Sequence, residues 1–407
     1  MNIVFIHGNY PAQFRHLAEM LGRSGDHRVI YFTERNDDAM ERFPGVEIRR
    51  IEQHRSINPG THHYLLETEE AILKGQAVLR ALDTLVTEGC RPRLVVTHGG
   101  TGLGLFIKDL LPDAVHVALF EWFFRPETAH WLKASYDVND QLKTRIRNLP
   151  QLQELSSCDL AVVPTQWQKQ QFPKEYQHKL EVIFDGINRS FFQPKPDIDA
   201  ETIELIGEYL DQPLILKPDD RVLSYATRGM EPLRGFPQFL IAAVHALQGN
   251  PDLQVVIAGR DRRAYSYDAP SHGGSWKQHL LAQLEPFEGR ERLHFTGLMP
   301  YVQYRSLLQR SNLHCYFTRP YVTSWSLFEA AACGARLCVN QTAATNSVVA
   351  DPDTVNWVDL DDQQALNNTV ISCLNKPLKR SDLAEGYELG ECLQSWSRLV
   401  NRLLEAR

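Results

Sequence analysis

The sequence lacks most of the marks of a metalloprotein, a dinucleotide-dependent enzyme or a membrane span. Its seven cysteines stand scattered at positions 90, 158, 315, 333, 338, 373 and 392. They form no CxxC or Cys/His spacing for zinc, and an odd set of this kind suits reduced thiols in a cytoplasm. No HExxH occurs, so the pair His62-His63 and the row His7, His27, His98 carry no metal-site spacing. The run His98-Gly99-Gly100-Thr101-Gly102 does not make GxGxxG and follows an internal strand, which argues against NAD. No stretch approaches the roughly 18 apolar residues of a spanning helix. The start, MNIVFIHGNYP, has no basic opening and too short an apolar run for a signal peptide. Nor is there a basic excess: the formal net charge of −7 disfavours nucleic acid as the main partner. Repeats and low-complexity tracts are missing too. The expectation is a soluble cytoplasmic protein, with peripheral membrane contact left open.

What remains is a chain of 407 residues, 43% hydrophobic and 23% charged, long enough for two globular domains. Short apolar runs alternate with amphipathic stretches. Strands are expected at 2–6, 27–32, 46–51, 94–97, 115–120, 160–163 and 180–183, then at 221–227, 254–258, 292–295, 313–317 and 337–340. Helices are expected at about 13–24, 68–88, 236–247, 277–284, 301–310, 364–374 and 386–405. Near-continuous apolar strands alternating with helices argue α/β domains with parallel sheets covered on both faces. Pro194, Pro196 and Pro213 mark 191–220 as a linker between a domain of 1–190 and one of 221–385.

Ligands of open α/β sheets bind beyond the carboxyl ends of strands. That rule selects the loops at Gly8, His98–Gly104, Glu121, 228–234 and 319–326. Residues 319–340, RPYVTSWSLFEAAACGARLCVN, read as a polar loop, a short Ala-rich helix stopped by Gly334, and a strand. Ser324 and Ser326 are N-cap candidates, and the amides of Ser326 and Leu327 would form an anion site. Glu329 is expected in the first turn, where it would either grip ribose hydroxyls or merely complement the helix dipole. Arg228 and Arg234 frame a loop and suit phosphate, although two loop arginines are more often solvated charge. Gly8 permits close backbone approach to a ligand, as many turn glycines do. Glu121 would stabilise positive charge or orient a hydroxyl, or else form a structural ion pair with Arg125. His98 alone reads as a packed or exposed histidine.

Residues 319–340 resemble the donor-site motif of retaining glycosyltransferases of family 4, built on the GT-B fold. Glu329-Ala330-Ala331-Ala332-Cys333-Gly334 matches the motif's second half. Its first acidic position falls on Tyr321, a departure that puts the sugar's identity in question; a similar subgroup reads Tyr-Val-x-Ser-Trp-Ser here. Arg228 and Arg234 resemble the family's pair that neutralises the donor diphosphate, with Arg234 in the Lys-Gly position and the spacing one residue longer. Phe295-Thr296-Gly297-Leu298-Met299 resembles the loop that meets the nucleotide base, through the backbone of Gly297 and Leu298. Asp185-Gly186-Ile187-Asn188 resembles the interdomain crossing. Glu121 stands near the place of a family His beside the donor sugar, and His98 and Gly100 in a loop given to sugar or acceptor.

The resemblance implies two Rossmann-like domains facing a central cleft, with the helix of 386–407 packing back on the first. It implies a retaining, metal-independent transferase needing no cofactor beyond its nucleotide-diphosphate sugar, UDP-glucose or UDP-N-acetylglucosamine first. The acceptor would be a hydroxyl of a glycan, lipid-linked sugar or protein. The alternatives are a UDP-sugar epimerase or hydrolase on the same scaffold, or a non-catalytic partner that keeps the fold.

Overall fold

A computed structural model describes residues 1–36, 40–133, 135–266, 270 and 274–405. The chain divides into two compact units: Met1–Ala129, Tyr136–Gly186 and Leu389–Arg407 form unit 1, and His130–Ser135 with Ile187–Glu388 form unit 2.

Unit 1 is built on seven strands: β1 (Asn2–Ile6), β2 (Arg28–Thr33), β3 (Val46–Arg50), β4 (Leu94–His98), β5 (Val115–Leu119), β6 (Leu160–Val163) and β7 (Leu180–Val182). All pairings are parallel, in the order β3-β2-β1-β4-β5-β6-β7. Alternation along β1 sends Ile3 and Phe5 to one face and Val4 and Ile6 to the other, and all four are buried. Ile3 and Phe5 pack with Trp396, Leu399 and Val400 of the helix Leu389–Glu405. Val4 and Ile6 pack with Val78, Leu82 and Leu85 of the helix Leu66–Thr87. Apolar residues on both sides of each strand are what a sheet covered on two faces requires.

Unit 2 carries β8 (Ile203–Leu205), β9 (Leu214–Leu216), β10 (Arg221–Ala226), β11 (Leu253–Ala258), β12 (Leu293–Gly297), β13 (Leu313–Tyr316), β14 (Leu337–Asn340) and β15 (Val355–Val358). The main sheet is parallel with order β12-β11-β10-β13-β14-β15, and β8 and β9 form a separate antiparallel pair.

Two features depart from the sequence-based expectation. Residues 191–220 are not a free linker, because Ile198, Ile203, Leu205 and Leu216 are buried with Val222, Val256 and Leu307 in a common core. Prolines punctuate that segment, but its apolar side chains have a surface to cover. The strand β15 was missed. It stands at the sheet edge and is only partly buried, so its four residues carry a weak pattern.

In each sheet the strand order reverses once, between β1 and β4 in unit 1 and between β10 and β13 in unit 2. At such a point the connections leave toward opposite faces and open a crevice at the strand ends. The loops after these four strands are therefore where chemistry is expected.

Candidate functional site

In unit 1, β1 runs into His7 and β4 ends on His98, and the two rings lie 4.2 Å apart between centroids. A directed chain of hydrogen bonds fixes their surroundings. The Asn9 amide donates to His7 Nδ1 at 2.8 Å, so the ring's proton sits on Nε2, which donates to Gln13 Oε1 at 2.8 Å. Gln13 then presents its NH2 group, which donates to Glu121 Oε1. The other oxygen, Glu121 Oε2, stands 3.8 Å from His98 Nε2, and the Glu121 side chain keeps 41% of its accessible area. His98 Nε2 is buried and has no hydrogen-bond partner.

The electrostatics follow. Burial and the neighbouring His98 push His7 down to about 3, so it stays neutral. Enclosure by protein opposes the charge on Glu121, but His98, His7 and the Gln13 amide outweigh it and hold the carboxyl below its ordinary range. The result is an ionised, reachable carboxylate held down first by His98, with the Gln13 amide as a further donor. Gly8 lies in the same turn, its carbonyl accepting from Thr33 Oγ1 at 3.2 Å. The Arg125 partner considered for Glu121 instead approaches Glu127, at 3.5 Å.

The glycine-rich run after β4 has a packing role. Gly102 has φ +94°, and a Cβ there would stand 2.1 Å from the Ala71 carbonyl of the helix Leu66–Thr87. The wholly buried Glu154 accepts the amides of Gly100 at 2.5 Å and Gly104 at 3.2 Å. Burial nevertheless raises this carboxyl to about 7.

In unit 2 the loop after β10 carries Arg228 and Arg234, and the loop after β13 leads to the helix Trp325–Ala332. Arg234 is only 4% exposed. Its Nη1 donates to Thr318 Oγ1 and to the Val322 carbonyl, both at 2.9 Å. Among the described residues neither Arg234 nor Arg228 has a carboxylate within ion-pairing distance. A buried guanidinium held by neutral acceptors alone is costly unless an anion joins it.

No side chain caps the helix Trp325–Ala332. Ser324 Oγ pairs instead with Ser326 Oγ at 2.6 Å, while the Leu327 amide turns back to the Ser324 carbonyl at 3.2 Å. The expected phosphate amide of Leu327 is thus engaged in its own turn, and Ser326 is left at the open end. Glu329 falls in the second turn rather than the first, since the helix begins at Trp325. It is 7% exposed, and burial lifts it to about 7 against the relieving effect of Tyr304. Tyr321, at the departure from the family motif, is buried beside Tyr265, 5.5 Å between rings.

Gly297 and Leu298 do not offer a free edge to a base. The Glu208 amide donates to the Leu298 carbonyl at 2.9 Å, and the Gly259 amide donates to the Gly297 carbonyl at 2.9 Å. The Leu298 amide itself donates to Glu208 Oε2 at 3.3 Å. The turn between β8 and β9 thus engages the Leu298 amide and carbonyl, and Gly259 after β11 engages the Gly297 carbonyl. Sequence reasoning missed His7, Gln13, Glu154, Glu231 and Tyr265. Of these, His7, at the end of the first strand beside the reversal in strand order, and Glu231, in the 228–234 loop, were within reach of the crevice rule. Among the described residues no three His, Cys, Asp or Glu side chains converge as metal ligands would.

Two family models match the chain in succession. Residues 25–192 match the glycosyl transferase family 4 group, and residues 215–388 match glycosyl transferases group 1. The chain belongs to the family 4 type of group 1 glycosyltransferases. The second match contains Arg228, Arg234 and Glu329, and the first contains His98 and Glu121. No curated protein matches in sequence. Sucrose-phosphate synthase (tll1590) from Thermosynechococcus elongatus has the same fold, with a TM-score of 0.73 at 16% identity and all of both chains covered. Alr3699/HepE from Anabaena, in complex with UDP-glucose, gives a TM-score of 0.64 at 12% identity, covering 99% of this chain and 100% of that one. A glycosyltransferase from Rickettsia africae gives 0.63 at 14% identity, covering 100% and 99%. These likenesses show the GT-B fold for a glycosyltransferase whose own donor is set by its residues.

Proposed function

We propose that this glycosyltransferase is a retaining, metal-independent enzyme that moves a sugar from a nucleotide-diphosphate sugar to a hydroxyl acceptor, a glycan, lipid-linked sugar or protein. UDP-glucose or UDP-N-acetylglucosamine is the first choice of donor, and the structural relative holding UDP-glucose supports it. The observation that carries the reading is Arg234: a buried guanidinium with no carboxylate within ion-pairing distance among the described residues, beside Arg228 and an uncapped helix start. Cleavage of a glycosyl–phosphate bond builds negative charge on the departing diphosphate. Fixed cations and amides stabilise that charge in the transition state, which obviates a metal. Ser326 would add its amide at the helix start, and Glu329 would hold the ribose.

In unit 1, Glu121 and His98 serve the sugar and acceptor. A carboxylate kept ionised by His98 and the Gln13 amide can stabilise positive charge at the anomeric carbon. For retention on one face, the leaving phosphate takes the acceptor proton and no protein nucleophile is needed. The seven cysteines, all free and buried, suit a reducing cytoplasm. Among the described residues no helix is long and apolar enough to cross a membrane.

The test is UDP binding by calorimetry, with UDP release measured over a panel of nucleotide sugars, for wild type, Arg234→Ala and Glu329→Ala. Donor-selective binding that is lost in Arg234→Ala supports the transferase and names its sugar. Rapid turnover without any acceptor would make it a hydrolase or epimerase. Absence of UDP binding would leave a non-catalytic partner.

A further inference from the structure

Between Arg228 and Arg234 lies a carboxylate that pairs with neither. Glu231 is wholly buried and accepts three successive backbone amides from the loop after β11. Ala264 donates to Oε2 at 3.1 Å, Tyr265 to both oxygens at 3.1 and 3.2 Å, and Ser266 to Oε2 at 2.8 Å. Three amides on one carboxylate fix the backbone there and thereby the Tyr265 side chain. The Tyr265 ring lies 5.1 Å from the Arg234 guanidinium carbon and 5.9 Å from that of Arg228. Its hydroxyl accepts from Arg228 Nη1 at 3.3 Å. One tyrosine thus touches both arginines.

That contact has a use. Arg234 Nη1 is committed to Thr318 and Val322, while among the described residues no acceptor takes its Nε or Nη2. A ring on the face of a guanidinium holds the plane by cation–π attraction without using any N–H. The donor edge then stays open to an anion in a fixed orientation, which is the condition for a forked phosphate contact.

We propose that Tyr265 is a specificity-determining residue of the donor site, orienting Arg228 and Arg234 toward a diphosphate, and that Glu231 is the positioning residue that sets Tyr265 in place. This rests on the donor-site reading above. It adds that the arginines' affinity for diphosphate is conferred by a loop from a different strand, through a carboxylate that never meets the ligand.

The test is calorimetry with UDP, inorganic pyrophosphate and uridine on wild type, Tyr265→Phe, Tyr265→Ala, Glu231→Gln and the Glu231→Gln/Tyr265→Ala double variant. Melting curves confirm that each is folded. Tyr265→Ala is expected to weaken UDP and pyrophosphate about 10-fold, the scale of a desolvated cation–π contact. Tyr265→Phe, which keeps the ring, should lose about 2-fold. Glu231→Gln should lose roughly 5-fold, because an amide confronts one of the three N–H donors with an NH2 group. The double variant should be no weaker than Tyr265→Ala by more than about 2-fold, since both act through one ring.

A merely structural role for Glu231 would give additive losses and equal effects on uridine and UDP. Either result overturns the positioning assignment. Tyr265→Ala binding UDP as wild type does overturns the proposal even if Glu231→Gln fails to fold. If wild type binds neither UDP nor pyrophosphate, the donor site and this inference fall together; if it binds both and the variants do also, only the inference falls.

Discussion

The two units place opposite charges beside their reversals of strand order. In unit 1 a carboxylate, Glu121, follows β5 and meets Gln13 and His98, the groups that border the reversal. At the reversal in unit 2 stands a guanidinium, Arg234, held by a hydroxyl, a carbonyl and an aromatic ring. Glu121 faces His98 at 3.8 Å, while among the described residues Arg234 has no carboxylate within ion-pairing distance, unlike surface pairs such as Arg23–Glu19 or Arg221–Asp252. A structural role would call for a partner of opposite sign, because unpaired charge in a protein interior is expensive. A charge stabilised by neutral groups instead remains available to a ligand. On the function proposed above, unit 2 would serve anions and unit 1 developing positive charge.

The most direct way to break this is Arg234→Ala. Removing the buried cation should cost about 1,000-fold in UDP affinity, roughly 4 kcal/mol, the scale of a desolvated charged contact. Arg234→Lys should recover only part of it, because a point charge cannot supply the fork. Calorimetry reads both, and an unchanged Kd in Arg234→Ala would remove the unit 2 half of the comparison.

Glu329 sharpens the contrast with Glu121: burial pushes both carboxyls up, but their neighbours leave them on opposite sides of the ordinary range. Glu121 has donors enough to stay below the ordinary range, whereas Glu329 has chiefly Tyr304 and rises to about 7. A folded-state value raised above the unfolded one means that the native state prefers the protonated acid. The penalty is absent below the unfolded value near 4.5 and grows as pH rises toward 7. Glu329→Gln, which cannot ionise, should therefore be more stable than wild type at pH 8 by about 3 kcal/mol, with the advantage vanishing near pH 4. Denaturant unfolding at the two pH values measures it. An advantage independent of pH would show that packing, not ionisation, is responsible.

Sequence disclosed these two regions unequally, for physical reasons. The parallel sheets were visible because strands buried on both faces are apolar throughout, as in residues 3–6 or 255–258. Arg228, Arg234 and Glu329 were found because a short segment of chain carries their pattern. The unit 1 network was mostly hidden. Gln13 is an ordinary helix-start residue until the fold brings it to Glu121, 108 positions away. Glu231 and Glu154 were not singled out, because burial by loops from other strands leaves no periodic trace. Glu208 was hidden within a proline-marked stretch read as a linker. Its backbone closed the edge assigned to Gly297 and Leu298. Sequence patterns report repeating local environments, while side chains that bind the backbone of distant loops report the final topology.

Within unit 1 the larger effect belongs to the carboxylate itself. Glu121→Gln should lower turnover of donor and acceptor about 100-fold, the usual worth of a positioned acid–base or charge-stabilising group. Because it leaves the cations of unit 2 untouched, UDP affinity should stay within about 2-fold of wild type. Equal loss of both would place Glu121 in donor binding and erase the division of labour.

The smallest expected effect tests how the Glu121 charge is kept. Gln13 is the only described side chain that joins His7 to Glu121 through hydrogen bonds, and its amide is among the causes holding the carboxyl down. Gln13→Leu conserves bulk and deletes the donor. The Glu121 carboxyl should then move upward, and the acid limb of the pH–rate profile should shift to higher pH by up to about one unit, with turnover at neutral pH falling about 5-fold. The sign for stability runs the same way. A depressed native value stabilises the fold above the unfolded value and is lost as pH falls through the native one. Weakening the depression removes stability at neutral pH and nothing at low pH. His7 should remain neutral throughout, since its own depression comes first from burial. A pH profile that keeps its acid limb while turnover falls would mean that Gln13 orients Glu121 without tuning it. The ionised state of the unit 1 carboxylate would then depend on His98.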